Sequence, residues 1–304
     1  MSRVRLARLG RWVVLLTAVA LVIPTPAVQP ASISLTTVET ARAVDWGDDV
    51  LWVLVLGSDA RSGTPVTSGR TDAIQLVGFN WRRRSAVSIG IPRDSWVELP
   101  GLGFERINAA LADGGTEVAA RAVGDLVGIT PDLVLVTGFT GFVDMIEAVG
   151  PIHVESPVAF PDNVHDLVVR RGANRFDAGE ALSFARIRRG LVGDDLARSA
   201  NHQRLMLGVL DQLRAHEDRA GFMEAATLAA IGGLETDLSP VELYRFAQAV
   251  TGIDPSRTRA CVIGGEPFTS EAGASVLLPD TDQATALGDD AEDDAILQGG
   301  CRSR

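Results

Sequence analysis

The sequence predicts an α/β domain with a mixed β-sheet covered by helices on both sides. A continuous run of apolar residues at 50–56 is typical of a strand buried on both faces. The elements that follow run strand, strand, helix, strand, helix, strand and then helices, an order that indicates helical layers around a sheet. The 304 residues, 46% of them hydrophobic, suffice for one large domain or two small ones.

The first half of the chain supplies most of the predicted strands. After the strand at 50–56, apolar β-rich segments predict strands at 73–80, 85–91, 133–137 and 152–155. The basic residues 81–84 are expected to form a hairpin turn. Apolar residues at helical spacing predict helices at 117–127 and 140–149.

Helices dominate the second half. Asp177 and Glu180 are spaced as a capping box, which predicts that a helix follows through Ala181, Leu182 and Ala185. Further helices are predicted at 196–213, 219–232 and 239–251. Beyond residue 257 the periodicity of apolar residues is weaker, and it predicts one edge strand at 276–278. The acidic segment 289–294 is expected to be a solvated tail.

The N-terminal segment indicates export. Positive charge before an apolar run at 12–23 places the N-terminus in the cytoplasm, and that charge comes from Arg3, Arg5, Arg8 and Arg11. We expect a single membrane pass with the main domain outside the cytoplasm, or secretion after signal cleavage. The expected organisation is a basic cytoplasmic N-terminus (1–11), a membrane anchor or signal segment (12–28), a linker (29–47), a main domain (48–256) and a C-terminal extension with a partly disordered tail (257–304).

Composition excludes several function classes. The net charge of −11 argues against nucleic acid as a partner. All 28 basic residues are Arg, so a Schiff-base lysine and a phosphate-loop lysine are both excluded. This bias is also typical of a GC-rich, actinobacterial genome. Cys261 and Cys301 fit no zinc pattern, which leaves a disulfide or two unrelated thiols.

Charged residues gather at the predicted ends of the first three strands. They are Asp59, Arg61, Arg70, Asp72, Arg93 and Asp94. Because a buried sheet holds such ends close together, these side chains are expected to form one site. Paired carboxylates bind a hard divalent cation, and clustered guanidinium groups bind phosphate oxygens. The pattern therefore predicts a site for a phosphate-rich, metal-complexed substrate.

Asp59 and Asp72 are the predicted metal ligands. They end one predicted strand and begin the next, so their like charges would repel unless a cation lies between them. Mg²⁺ suits this position because it combines few carboxylates with phosphate oxygens. The alternative is that each Asp only caps a turn.

A second basic cluster precedes and enters the helix at 196–213. It comprises Arg186, Arg188, Arg189 and Arg198, followed by His202 and Gln203. Either Asp194 or Asp195 is expected to cap this helix, which puts Arg198 in the first turn. A cation there opposes the helix dipole, which favours an anionic ligand nearby. The alternative is an exposed Arg-rich turn.

Taken together, these segments resemble the LytR–CpsA–Psr family of bacterial cell-envelope proteins. The matching motifs lie at 56–61, 70–72, 91–94, 107–110, 114–115, 150–154, 181–188 and 195–198. Two positions depart from the family pattern. Asn201 replaces a usual Arg, and Ser183-Phe184 replaces a usual Tyr position, changes that bear on substrate preference.

The resemblance implies an α–β–α sandwich around a central mixed sheet, with an apolar lipid-binding tunnel. It further implies a Mg²⁺-dependent phosphotransferase that moves a glycopolymer from a polyprenyl-pyrophosphate carrier to peptidoglycan during cell wall assembly at the membrane. The alternatives are a non-catalytic binder of the lipid-linked glycopolymer and an envelope-linked regulator.

On this hypothesis the candidate residues divide into three roles. The metal ligands are Asp59 and Asp72. The pyrophosphate contacts are Arg61, Arg70, Arg93, Arg186, Arg188, Arg198 and Gln203. The catalytic residues are Asp72, Arg93 and Asp94, with Asp94 orienting or deprotonating the acceptor hydroxyl.

Overall fold

The computed structural model describes residues 50–61, 63–162, 167–187 and 194–301. The expectations for the basic N-terminus, the anchor or signal segment and the linker fall outside these residues, as do Arg188 and Arg189. Within the described residues, no helix is both long and apolar enough to be a membrane span.

The N-terminal part of the described chain is rich in strands. The elements are β1 (Val50–Ser58), β2 (Thr71–Asn80), β3 (Ser85–Gly90), β4 (Trp96–Leu99), β5 (Gly103–Arg106), α1 (Ala110–Val127), β6 (Leu133–Thr137), α2 (Phe139–Val149), β7 (Ile152–Ser156), β8 (Phe160–Asp162), β9 (Leu167–Val169) and β10 (Gly172–Phe176).

The remaining elements are mainly helical. They are α3 (Ala178–Arg186), α4 (Asp194–His216), α5 (Phe222–Gly233), β11 (Leu234–Thr236), α6 (Pro240–Thr251), β12 (Thr258–Val262), β13 (Gly265–Thr269), β14 (Ser275–Pro279) and α7 (Thr281–Ala291). The predicted capping box is confirmed, because Asp177 and Glu180 each bond the other's backbone N–H at the start of α3.

The central sheet is mixed, as predicted. Its described strands run in the order β11–β6–β1–β2–β3–β12. β1 and β2 are antiparallel, as are β2 and β3, whereas β6 runs parallel to β1 and β12 runs parallel to β3. Antiparallel pairing therefore puts the end of β1 beside the start of β2, at one rim of the sheet.

Alternate residues of β1 face two helical layers, because successive side chains of a strand point to opposite faces. Leu54 and Leu56 are buried in the core that includes α1 and α7. Val53 and Val55 point to the other face, which α2, α4, α5 and α6 cover. The predicted sandwich is thereby confirmed.

The C-terminal segment differs from the expectation. The predicted boundary near residue 257 cuts the fold, because β12 is an edge strand of the central sheet. The prediction of a solvated tail at 289–294 is also wrong, because this segment includes the end of α7, whose Leu287 and Ala291 are buried against α1. Charge count alone suggested a tail at 289–294, whereas the apolar residues recur at helical spacing and the acids face outward.

The cysteine pair, which the sequence left open, forms a disulfide between Cys261 of β12 and Cys301.

Helix α1 begins earlier than predicted. Gly115, at φ +76°, interrupts the helix between its first turn and the predicted start at residue 117, and glycine is the residue that adopts this conformation at low cost.

Candidate functional site

The predicted charged residues lie at the rim formed by the end of β1, the start of β2 and the segment after β3. Asp59 N–H donates to the Arg70 carbonyl at 2.9 Å, which continues the β1–β2 pairing past Ser58. The backbone of the segment after β3 is held by Asn108, whose N–H donates to the Arg93 carbonyl at 3.2 Å. Side chains that are distant in sequence thus share one rim.

Arg93 is the centre of the charged cluster. Its Nη1 donates to Asp72 Oδ1 at 2.5 Å. Its Nε lies 3.7 Å from Asp94 Oδ1 and 4.0 Å from Asp195 Oδ1. Only 15% of the Arg93 side chain is exposed, so this guanidinium neutralises several carboxylates in a partly dehydrated site.

Two further arginines complete the cluster. Arg198, whose side chain is 3% exposed, donates to Asp195 within the first turns of α4. Arg106, at the end of β5, has its Nη1 3.4 Å from Asp94 Oδ1. The cluster therefore balances Asp72, Asp94 and Asp195 against Arg93, Arg106 and Arg198.

Asp94 and Asp195 share a hydrogen bond that separates their pKa values. Burial and the hydrogen bond to Asp94 raise the pKa of Asp195 to about 6. Burial also opposes ionisation of Asp94, but the hydrogen bond from Asp195 and the charges of Arg93, Arg106 and Arg198 outweigh it and lower the pKa of Asp94. One carboxyl thus holds a proton that titrates just below neutral pH, the range a general base needs.

His202 lies one turn beyond Arg198 on α4 and is buried. Its Nε2 is 2.9 Å from the Ala185 carbonyl, so this nitrogen carries the hydrogen. Burial lowers the pKa of His202 to about 4, and the ring is neutral at pH 7. His202 therefore contributes no positive charge to the site.

Gln203 is held by backbone carbonyls of the central sheet, and its predicted contact with phosphate stays a prediction. Its side-chain nitrogen donates to the Cys261 carbonyl at 2.7 Å and to the Ser88 carbonyl at 3.2 Å. Both hydrogens of the side-chain amide are used in these bonds. The side chain instead fixes α4 against β3 and β12, which positions Arg198.

The remaining predicted residues lie around the rim. Asp59, Arg61 and Arg70 are exposed. Arg186, at the end of α3, is exposed too, and its guanidinium stacks over the Phe139 ring at 4.8 Å. Their predicted roles as phosphate or metal contacts stay predictions, as does that of Arg188, which lies outside the described residues.

Asp195 and Arg106 were not among the candidates from sequence. Asp195 begins the motif at 195–198, but from sequence it was interpreted only as a helix cap. Its spacing of three residues from Arg198 could have indicated that the two side chains pair. No sequence pattern indicated that Arg106 belongs to the site, because its contact with Asp94 depends on the β4–β5 pairing.

Beneath the rim lies an apolar cavity of about 360 Å³ between the sheet and the helices. Asp72 and Arg186 lie at its mouth, and Phe79 and Val250 line it further along the sheet. From Asp72 to Phe79 along β2 the distance is about 24 Å, at roughly 3.4 Å per residue. The wall also includes Val53, Val55, Val77, Phe142, Met145, Leu205, Met206, Val209, Leu243 and Phe246.

The rim offers few ligands for a metal. No group of three or more His, Cys, Asp or Glu side chains among the described residues is placed to hold an ion. Asp59 and Asp72 supply carboxylates at neighbouring strand ends. Such a donor set fits Mg²⁺ bound jointly with phosphate oxygens rather than in a cage of protein ligands.

Fold and site together define an α/β sandwich in which a cluster of guanidinium and carboxylate groups lies at one end of an apolar cavity. This combination is suited to an amphiphile with an anionic head and a long apolar tail. The chain belongs to the LytR_cpsA_psr family, whose model matches residues 29–292, and the resemblance drawn from the motifs is confirmed.

Known proteins of this group are similar in sequence and fold. Polyisoprenyl-teichoic acid--peptidoglycan teichoic acid transferase TagT of Bacillus subtilis is 30% identical over 186 residues, which cover 59% of this chain and 57% of that protein. The chain thus spans less than two thirds of this relative's length. TagT bound to LI-WTA has a TM-score of 0.66 at 22% identity, covering 83% of this chain and 93% of that one.

A second solved structure carries a lipid. The LytR-CPS2A-psr family protein YwtF (TagT) with bound octaprenyl pyrophosphate lipid matches with a TM-score of 0.62 at 21% identity, covering 83% of this chain and 93% of that chain. At these identities the likeness establishes the fold.

Proposed function

We propose that this protein transfers a glycopolymer from a polyprenyl-pyrophosphate carrier to peptidoglycan during cell wall assembly, with its α/β domain outside the cytoplasm. The observation that carries the proposal is the continuity between the arginine-rich mouth and the apolar cavity of about 360 Å³. One ligand, a lipid pyrophosphate, needs both environments at that spacing. The names of the relative TagT and of its octaprenyl-pyrophosphate complex support this substrate class.

The pyrophosphate would lie at the mouth, where several guanidinium groups converge. Arg93 and Arg198 are held in place by carboxylates before substrate arrives. Arg61, Arg70 and Arg186 stand at the exposed rim and close on the phosphates from outside. Such pre-positioned donors stabilise the charge that develops on the leaving phosphate in the transition state.

The acceptor hydroxyl of peptidoglycan would attack the phosphorus that bears the sugar. The new oxygen–phosphorus bond forms as the bond to the bridging oxygen breaks, and polyprenyl phosphate leaves. The hydroxyl proton passes to the Asp94–Asp195 pair, whose raised pKa of about 6 at Asp195 suits a base at neutral pH. Arg106 and Arg93 hold Asp94 at the position where it orients the hydroxyl.

Asp59 and Asp72 would hold Mg²⁺ at the rim. The ion, when bound, neutralises charge on the pyrophosphate oxygens. Asp72 has a second task independent of any metal, because it fixes the guanidinium of Arg93.

The direct test is transfer of radiolabelled glycan from a synthetic polyprenyl pyrophosphate to isolated peptidoglycan, with and without Mg²⁺. We expect transfer by the unaltered protein and a loss of about a hundredfold or more in Asp72→Ala. Persistence of transfer in Asp72→Ala would remove the role given to that carboxylate. Tight binding of the lipid with no turnover under any condition would instead support a non-catalytic binder.

The pH profile tests the carboxyl pair. Because Asp195 of the ligand-free protein has a pKa of about 6, its base form is lost as the pH falls, so kcat/KM should rise with pH and reach half its maximum near pH 6. Asp195→Asn should abolish this acidic limb and leave a low, pH-independent rate. Retention of the same limb in Asp195→Asn would assign the titration to another group.

A further inference from the structure

We propose that the outer face of the β4–β5 hairpin binds sugar rings of the acceptor glycan next to the one that reacts. This inference rests on the proposed function, because it concerns the acceptor side of the same site. The hairpin begins at Trp96, two residues after Asp94, the carboxylate that would orient the attacking hydroxyl.

The strand register puts the relevant side chains in rows on one face. Trp96 lies opposite Arg106, and Glu98 lies opposite Phe104. Opposed residues in an antiparallel pair project to the same side. Asp94 lies in the turn that precedes β4. Along the hairpin the first row is Trp96 with Arg106, and the next row, Glu98 with Phe104, is about 7 Å further.

The hairpin is firmly held from behind. Val97 and Leu99, which alternate with the outward residues, are buried in the main core. Gly101 and Gly103 adopt φ values of +79° and +84° in the turn, a conformation that glycine allows at low cost. Phe104 lies on the paired strand β5 and is 62% exposed. No residue of β5 is buried, so the hairpin is anchored through Val97 and Leu99 of β4.

The composition of this face fits a carbohydrate. A sugar ring has an apolar C–H face, which stacks on an aromatic ring, and an edge of hydroxyls, which bond carboxylates and guanidinium groups. Phe104 supplies the ring, and Glu98 and Arg106 supply the polar partners. Sites of this kind pair aromatic surface with a few placed polar groups.

The position selects the acceptor rather than the lipid. The apolar tail has its own cavity, whose mouth is on the side of Asp72 and Arg186. Arg106 joins the hairpin to Asp94 through a 3.4 Å contact. A polymer whose hydroxyl reaches Asp94 from outside must lay its neighbouring sugars on the surface that continues from Arg106.

The test compares Phe104→Ala with a matched variant. Leu228→Ala removes an apolar side chain of similar exposure, 69%, from α5. The probe is a soluble, un-cross-linked peptidoglycan oligosaccharide titrated against each protein by NMR, with binding of a short-tailed polyprenyl pyrophosphate measured in parallel. We expect Phe104→Ala to weaken glycan binding by roughly three- to tenfold, to leave lipid binding unchanged, and to be rescued by Phe104→Trp.

Unchanged glycan affinity in Phe104→Ala would overturn the inference, and so would an equal loss in Leu228→Ala. A parallel loss of lipid binding would also overturn it, because the hairpin would then serve the donor. The binding measurement needs no turnover. If the unaltered protein binds glycan through Phe104 but transfers nothing, the proposed function fails alone; if it transfers with no dependence on Phe104, only this inference fails.

Discussion

Replacing Arg93 with alanine should lower the transfer rate by about a thousandfold or more while the protein stays folded. Arg93 contacts Asp72 at 2.5 Å and lies within 4.0 Å of Asp94 and Asp195. Its loss removes a phosphate donor and leaves neighbouring carboxylates to repel one another and the incoming pyrophosphate. The measurement is kcat in the labelled-glycan assay, with thermal unfolding as the check on folding.

Two variants make the Arg93 result specific. Arg93→Lys keeps the charge but loses the planar fork, so it should recover only part of the rate. Arg121→Ala removes an exposed arginine of α1 whose Nη1 lies 3.8 Å from Glu117 Oε1 in the same helix, and it should leave the rate unaltered. Activity of Arg93→Ala close to that of Arg121→Ala would show that the cluster is structural.

Filling the deep part of the cavity should abolish binding of long polyprenyl substrates. Val250 on α6 lines the cavity far from Asp72, and Val250→Trp places a large ring where the tail would lie. Affinity for a long-chain polyprenyl pyrophosphate is expected to fall by about a hundredfold, because buried CH₂ groups contribute roughly 0.8 kcal/mol each. Binding is measured by calorimetry in detergent.

The tail length supplies the internal control for Val250→Trp. A short prenyl pyrophosphate, which fills only the part near the mouth, should bind the variant and the unaltered protein equally. Val241→Trp enlarges an exposed residue, 61% accessible, at the start of the same helix, and it should change neither affinity. Equal loss of short and long ligands would mean that the variant damages the fold, and no loss of either would place the tail elsewhere.

Much of the fold follows from local patterns in the sequence. β1, β2 and β3 were predictable because runs of apolar residues end at glycine or charged residues. The start of α3 was predictable because Asp177 and Glu180 form a capping box within one turn. β12 was missed, since a five-residue strand that contains Arg259 is recognisable only through its parallel pairing with β3.

The part of the site that could be predicted from sequence is the part formed by the ends of neighbouring strands. Asp72 and Arg93 meet because β2 and β3 are adjacent in sequence and in the sheet. The contact of Asp94 with Asp195 joins β3 to α4 across about a hundred residues, and no spacing rule reports it. The bonds of Gln203 to the Ser88 and Cys261 carbonyls could not be predicted either, because sequence gives the helix but not the direction in which each of its side chains points.

The most direct measurement is a crystal structure of the protein with a polyprenyl pyrophosphate. We expect phosphate density within hydrogen-bond distance of Arg93 and Arg198, and a continuous tail running from Asp72 toward Phe79 between the sheet and the helices. A head group bound away from Arg93, or a tail lying on the outer surface with the cavity collapsed, would contradict this expectation.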